Sequence, residues 1–246
     1  MRCLVLSDIH SNLEALEAVL RDAGRVDEVW CLGDVVGYGP DPNACVQLLR
    51  SLSPACIAGN HDWATLGKLD LQDFNPDARQ ANLWNRRQLA PGNLAWLENL
   101  PETIVKPPFT LAHGSPRFPI WEYIIYNSTA RASFDHFDTP YCLVGHTHTP
   151  AVFRLVEAGE GGGTLCELIT PGVGEMIALG AERAILNPGG VGQPRDGDPR
   201  ASYVLLDLDG LTAEYRRVEY DVEKTQAKMM DNDLPTRLVV RLKYGW

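Results

Sequence analysis

Short apolar runs closed by polar blocks set the rhythm of the first part of this chain. Runs 3–6, 29–32, 55–58, 109–112 and 141–144 have strand length and end in turn residues, so they read as buried strands. Between them, Leu13, Leu16, Val19 and Leu20 fall at helical spacing. Ser11 and Glu14 precede this face as an S-x-x-E capping box, and Gly24 stops it. Asp41 and Pro42 open a second helix, Asn75 and Pro76 a third that runs to about Leu89, and a short fourth covers 92–99. Alternation of strand and helix predicts βαβ units and a mostly parallel sheet.

After Pro150 the pattern changes. Runs 151–156, 165–169, 176–179 and 184–186 predict short strands, with a flexible turn over 159–163. Runs 203–208 and 212–218 flank Asp209 and Gly210, a hairpin signal. This half is expected to be antiparallel. The whole pattern suits two sheets, one mainly parallel and one with hairpins, packed face to face and flanked by helices. Leu238, Val239 and Leu242 follow Pro235 at helical spacing, so the tail from 220 to 246 is expected to dock outside as one or two helices.

Composition adds bounds. With 246 residues, 45% hydrophobic and 22% charged, the chain is an ordinary globular one. No apolar run reaches the length of a membrane span, and the start Met leads straight into a strand, so a cytoplasmic location is expected. The six cysteines are scattered without a CxxC pair and read as small buried hydrophobes in a reducing compartment. Net charge is −10, and no basic cluster exceeds Arg86 with Arg87 or Arg216 with Arg217, which argues against a long nucleic acid as partner.

The polar blocks carry the chemistry. Asp8 and His10, Asp34, Asn60 with His61 and Asp62, His113, and His146 with His148 each follow one of the apolar runs. In an open α/β sheet the loops beyond the strand ends converge, so these blocks should meet in space. Asp8 and His10, like His146 and His148, lie two apart, which along a strand points both side chains one way. Asp34 can bridge two ions through its two oxygens. The oxygen and nitrogen donors suit two divalent transition-metal ions, manganese, iron, cobalt, nickel or zinc, with manganese favoured, and suit magnesium less. Such a pair makes a pocket locally positive, which fits a small anionic ester despite the overall charge. It also generates a bound hydroxide for in-line attack on phosphate esters. His61 is expected to be the general acid at the leaving oxygen, with Asp62 able to orient it if the loop folds back.

In this order, the blocks DIHSN (8–12), GDVVG (33–37), GNHD (59–62), AHG (112–114) and GHTH (145–148) resemble those of calcineurin-like metallophosphoesterases. The resemblance covers residues 8 to 148 without departure at a ligand position, and the stretch 187–195 is similar to a segment of small bacterial phosphodiesterase-type members. It implies a four-layer αββα sandwich, an α/β fold (mixed α+β) of two mixed sheets flanked by helices. Residues 1–246 would form a single domain with a helical insertion at about 63–100. It implies one metal on Asp8, His10, Asp34 and His148, the other on Asp34, Asn60, His113 and His146, and His61 near the leaving group.

Several residues stay open. Asn12 contacts substrate or caps its helix. Arg195 reaches a substrate phosphate or is an ordinary surface arginine. His136 belongs to no block. Trp84 and Trp96, in the insertion that is expected to wall the pocket, are core residues or substrate platforms. The leading expectation is hydrolysis of small phosphomonoesters or phosphodiesters. A protein phosphatase, a nucleotide-specific hydrolase or a non-catalytic scaffold are the alternatives, and the oligomeric state is not readable.

Overall fold

The computed structural model describes residues 1–157 and 163–246. The turn expected at 159–163 therefore lies outside the described residues except for Gly163. The strands are β1 (Arg2–Leu6), β2 (Glu28–Cys31), β3 (Ala55–Cys56), β4 (Thr103–Lys106), β5 (Phe109–Ala112) and β6 (Tyr141–Leu143). They continue with β7 (Pro150–Glu157), β8 (Thr164–Ile169), β9 (Met176–Ala178), β10 (Ala184–Pro188), β11 (Ala201–Asp207) and β12 (Thr212–Val218). The helices are α1 (Leu13–Ala23), α2 (Pro42–Ser51), α3 (Asn60–Leu66), α4 (Pro76–Gln88), α5 (Pro91–Glu98), α6 (Asn127–Ser133), α7 (Val222–Asp231) and α8 (Thr236–Arg241).

The strands form two six-stranded sheets, in the orders β3-β2-β1-β11-β12-β9 and β4-β5-β6-β10-β7-β8. Parallel and antiparallel pairs do not segregate between them, contrary to the expectation of one mainly parallel sheet and one of hairpins. In the first sheet β1 pairs parallel to β2 and antiparallel to β11; in the second β10 pairs parallel to β6 and antiparallel to β7. The reason is that the late strands add to both early ones: β11 continues the first sheet, β10 the second. Both sheets are mixed.

Residue alternation builds the layers. Cys3 and Val5 face Phe109, Leu143 and Leu206 between the sheets, while Leu4 and Leu6 face Leu16, Val19, Val46 and Leu49 of α1 and α2. On the far face of the second sheet, Cys142 and Ile185 pack on Ala130 of α6 and on Phe134. Helix, sheet, sheet, helix is the four-layer αββα sandwich. With both faces of the central strands covered, they read as continuous apolar runs.

Helix α4 starts at Pro76 as the Asn-Pro signal suggests, with Asn75 accepting from Ala78 N at 3.0 Å, and α5 starts at Pro91, one residue before the expected 92. The expected Ser11/Glu14 box does not form: Asn12 caps α1, accepting from Ala15 N at 3.2 Å. Ser11 Oγ instead donates to Asn85 Oδ1 at 2.6 Å, and Glu14 pairs with Lys228 of α7 at 2.6 Å. Tertiary partners outcompete a local box because each offers a buried or charged bond. Lys228 also reaches Asp41 at 2.8 Å, so α7 ties the tail to the starts of α1 and α2. No helix among the described residues is long and apolar enough to cross a membrane.

Candidate metal centre

β1 ends at Leu6, and the chain then turns into the left-handed region: Asp8, His10 and Asp34 have φ of 55°, 48° and 52°, His146 and His148 of 66° and 60°. Each such non-glycine residue costs about 1–3 kcal/mol, so the surroundings must over-determine it. They do. His10 N donates to Asp34 O at 2.9 Å, Ser11 N to Val35 O at 3.0 Å, Gly192 N to Asp8 O at 2.8 Å and Gly145 N to His113 O at 2.8 Å. The paired side chains at i and i+2 converge through these turns, not through strand alternation as expected, because the strands have already ended.

All seven candidate ligands come together. Asp8 Oδ2 is occupied by Ser7 Oγ at 2.6 Å and His146 N at 3.1 Å, and Asp34 Oδ1 by His61 N at 2.8 Å. Their other oxygens, Asp8 Oδ1 and Asp34 Oδ2, are buried without a hydrogen-bond partner among the described residues. Asp34 Oδ2 lies 3.5 Å from His10 Nε2 and 3.4 Å from His113 Nε2. Asp8 Oδ1 lies 3.1 Å from His148 Nε2, and Asn60 Oδ1 3.1 Å from His113 Nε2. One ligand atom each from Asp8, His10, Asp34 and His148, and likewise from Asp34, His113 and His146, lie within 4.8 Å of one another.

The donor set fits cations. His10 Nδ1 faces Val36 O at 3.2 Å, His113 Nδ1 faces Leu32 O at 2.7 Å and His148 Nδ1 faces Gln193 O at 2.5 Å. Each of those nitrogens must donate, which in the neutral ring leaves Nε2 as a lone pair aimed inward. The Nε2 atoms of His10 and His148 then stand 3.2 Å apart as two lone pairs. Only a positive charge between them relieves that contact. His146 Nε2 is taken by Trp121 O at 3.2 Å, so its Nδ1 is the inward donor.

Electrostatics point the same way. Burial pushes His10 and His146 well below the ordinary imidazole range, and lowers His148, so these rings are neutral donors near neutral pH. For Asp8 and Asp34 burial acts upward, but the His148 and His113 imidazoles outweigh it and hold both carboxyls well below their usual range. Burial lowers His113, yet the Asp34 charge overrides it and raises that ring to about 9. The pocket demands positive charge beside Asp34, as a proton or as a metal ion.

His61 sits on the first turn of α3 beside these ligands, its ring centroid 4.9 Å from that of His10 and 4.3 Å from that of Tyr38. Burial lowers it to about 4. The expected partner Asp62 does not orient it, because successive helix residues do not face each other. Asp62 accepts from Val36 N at 3.1 Å and Gly59 N at 3.0 Å, tying two site loops. Asn82 of α4 holds His61 instead, with Oδ1 3.0 Å from Nδ1. Asn82→Ala is expected to lower turnover of phosphate esters about tenfold with little change in KM, since the ring keeps its place in sequence but loses its aim. Steady-state kinetics check this; an unchanged kcat would remove Asn82 from the site.

The remaining residues sort plainly. Asn12 caps α1 and donates to Gly192 O at 2.9 Å, so its amide is committed to structure and not free for a substrate. Arg195 is half-buried, bonds Tyr38 OH at 3.3 Å and Gln193 Oε1 at 3.1 Å, and stands at the centre's rim, unlike an ordinary surface arginine. His136 is exposed on the turn Phe134–His136, outside the cluster. Trp84 and Trp96 only pad the apolar clusters; the insertion walls the site through Asn82 and through Phe74, 5.2 Å from the His61 ring. The stretch 187–195 is a brace: Asn187 Nδ2 donates to Gly145 O at 2.7 Å and Val191 N to Ser7 O at 2.9 Å. Asn82, Asn85 and Trp121 escaped sequence reasoning. Two asparagines three apart on a helix face that also buries Ala78 and Ala81 were the one available signal.

Gly59 shows how tight the packing is. A Cβ there would sit within 2.7 Å of Asp34 Cγ. Gly59→Ala is therefore expected to lower metal affinity about tenfold or more by displacing Asp34, read by metal titration of the folded variant. Unaltered affinity would show that Asp34 does not need its present position.

A family model for the calcineurin-like phosphoesterase superfamily domain matches residues 1–211. An uncharacterized protein of Methanocaldococcus jannaschii is 40% identical over 248 residues, 98% of this chain and 97% of that protein. The crystal structure of a metallophosphoesterase from Sphaerobacter thermophilus superposes with a TM-score of 0.89 at 48% identity, covering 100% of both chains. A symmetrical bis(5'-nucleosyl)-tetraphosphatase of Pseudomonas entomophila is 31% identical over 105 residues, 36% of this chain and 37% of that protein.

Proposed function

This chain belongs to the calcineurin-like phosphoesterase superfamily, and from that premise we propose that residues 1–246, as one domain, hydrolyse small phosphomonoesters or phosphodiesters. The reaction uses two divalent transition-metal ions, manganese favoured, in an expected cytoplasmic setting. The observation that carries the reading is the meeting of inward lone pairs on His10, His113 and His148 with the unpartnered Asp8 Oδ1 and Asp34 Oδ2. Asp8, His10, Asp34 and His148 would hold one ion; Asp34, Asn60, His113 and His146 the other. Bound there, the ions supply Lewis-acid charge at the phosphoryl oxygens and lower the pKa of water toward neutrality.

The chain's own residues do the rest. His10, His113, His146 and His148 are fixed in tautomer by backbone carbonyls, so their geometry is set before substrate arrives. His61 protonates the leaving oxygen through Nε2, with Nδ1 held at Asn82. Burial, with the nearby Arg195 and His148, keeps that ring neutral, whereas the negative charge of an arriving phosphate ester favours its protonated form. Arg195, at the rim beside Tyr38, pairs with a phosphate oxygen through its guanidinium. The buried braces from Asp62 and Asn85 keep solvent out of the loops behind the ligands.

A metal-depleted preparation is expected to lose hydrolysis of nitrophenyl phosphate esters, and reloading with manganese, or with iron, cobalt, nickel or zinc, to restore it at about two ions per chain. Full loading with no turnover on any phosphoester would leave the scaffold reading in place. The local likeness to a bis(5'-nucleosyl)-tetraphosphatase favours one second reading, hydrolysis of a nucleotide polyphosphate. Including nucleoside polyphosphates in the ester panel decides between them.

A further inference from the structure

Beside the centre lies a cavity of about 430 Å³ whose walls include Tyr123, Ile125, Thr147, Thr149, Leu168 and Arg195. That is within the range of small-ligand pockets, about 300–1,000 Å³. Its walls adjoin the centre through three residues. Thr147 stands between His146 and His148, and the Tyr123 ring lies on that of His146 with centroids 3.8 Å apart. Arg195 joins the cavity to Tyr38, whose ring packs 4.6 Å from His10. A group attached to a phosphorus atom at the centre therefore has this space within reach.

The lining describes what fits. Tyr123, Ile125 and Leu168 offer an aromatic and aliphatic surface, and a flat ring gains from stacking on tyrosine and from leaving water. Thr147, Thr149, Thr170 and Arg195 interrupt it with polar groups. Among the described residues the Thr149 hydroxyl has only a long contact, 3.4 Å to Thr147 O, and Arg195 Nε is buried without a partner. No carboxylate among the described residues lines the cavity. Meanwhile the residues packed around His61, namely Tyr38, Phe74 and Asn82, are not among the cavity's walls. If His61 supplies the proton, the leaving oxygen lies on that flank, and the cavity holds something that does not leave.

We propose that the cavity is the subsite for the second organic group of a phosphodiester, the one retained on phosphorus, and that it selects a flat, uncharged aromatic ring. This rests on the phosphoesterase reading and narrows it to a diester with an aryl-type retained group. In the step, water's oxygen bonds to phosphorus while the bond to the leaving oxygen breaks. That oxygen keeps the electron pair and takes the proton from His61, which is replenished by the proton that water loses. The ester bond to the retained group stays whole.

The test varies only the retained group. Phenyl 4-nitrophenyl phosphate and methyl 4-nitrophenyl phosphate share one leaving group, and the metal-loaded protein is expected to favour the phenyl ester in kcat/KM by about tenfold or more. Leu168→Trp, on the sheet-edge strand β8, fills the cavity from its outer wall and is expected to bring that ratio close to one. Leu168→Ala thins the same wall with less risk to folding and is expected to lower the ratio about threefold. Binding of phenylphosphonate against methylphosphonate, by calorimetry, gives a readout that needs no turnover, and the same tenfold preference is expected. Equal binding of the two phosphonates, or a phenyl preference that both Leu168 variants leave intact, overturns the subsite. A protein that binds phenylphosphonate preferentially but releases nitrophenolate from neither ester keeps the subsite and overturns the phosphoesterase reading instead.

Discussion

Asp34→Asn is expected to halve metal loading and to lower phosphoester turnover on the order of a thousandfold or more. The substitution is nearly isosteric, so the fold has little reason to fail. The amide oxygen can still accept from His61 N, as Asp34 Oδ1 does at 2.8 Å. What changes is the inward atom. Asp34 Oδ2 faces His10 Nε2 at 3.5 Å and His113 Nε2 at 3.4 Å, and it is the one candidate oxygen placed to serve both clusters. An NH2 group there presents protons where a cation should sit and removes the charge that holds His113 near 9. Elemental analysis of the purified variant beside steady-state kinetics reads both effects. Two ions per chain with undiminished turnover would refute the bridging role.

His61→Ala is expected to leave metal content intact while lowering kcat about a hundredfold to ten-thousandfold, the range for loss of a general acid. His61 touches the cluster only through its backbone bond to Asp34 and ring contacts to His10, so removing the ring takes no ligand away. The loss should depend on the leaving group. A nitrophenolate, as a good leaving group, depends least on the proton and an alkoxide most, so alkyl esters should suffer most. An equal loss for all esters, or a loss of metal with the ring, would move His61 from proton donor to structural support. Asn82→Ala should show the same dependence in weaker form, because that residue acts only through His61.

How much of this was readable beforehand varies with the physics of each part. Strand positions were legible because burial on both faces makes apolar runs, as at Phe109–Ala112. Strand partners were not. β10 and β11 are both short buried runs, yet one extends each sheet, and nothing local marks a strand that pairs with β6 from one that pairs with β1. The Ser11/Glu14 box was a sound local signal that lost to Asn85 and Lys228, residues 74 and 214 positions away. β4 was overlooked because half its residues face water and its run is short.

By itself the sequence determined which atoms can bind metal, since only aspartate, asparagine and histidine side chains bring those oxygens and nitrogens, and it placed them at the ends of buried runs. It also determined the covering of both sheet faces, through alternating and continuous apolar positions. Tertiary structure alone decided how the donors aim. Left-handed turns at Asp8, His10, Asp34, His146 and His148 are stable only because loops from distant parts of the chain bond one another. The tautomers are set by carbonyls of Leu32, Val36, Trp121 and Gln193, and a carbonyl is common to every residue, so it leaves no mark in a sequence.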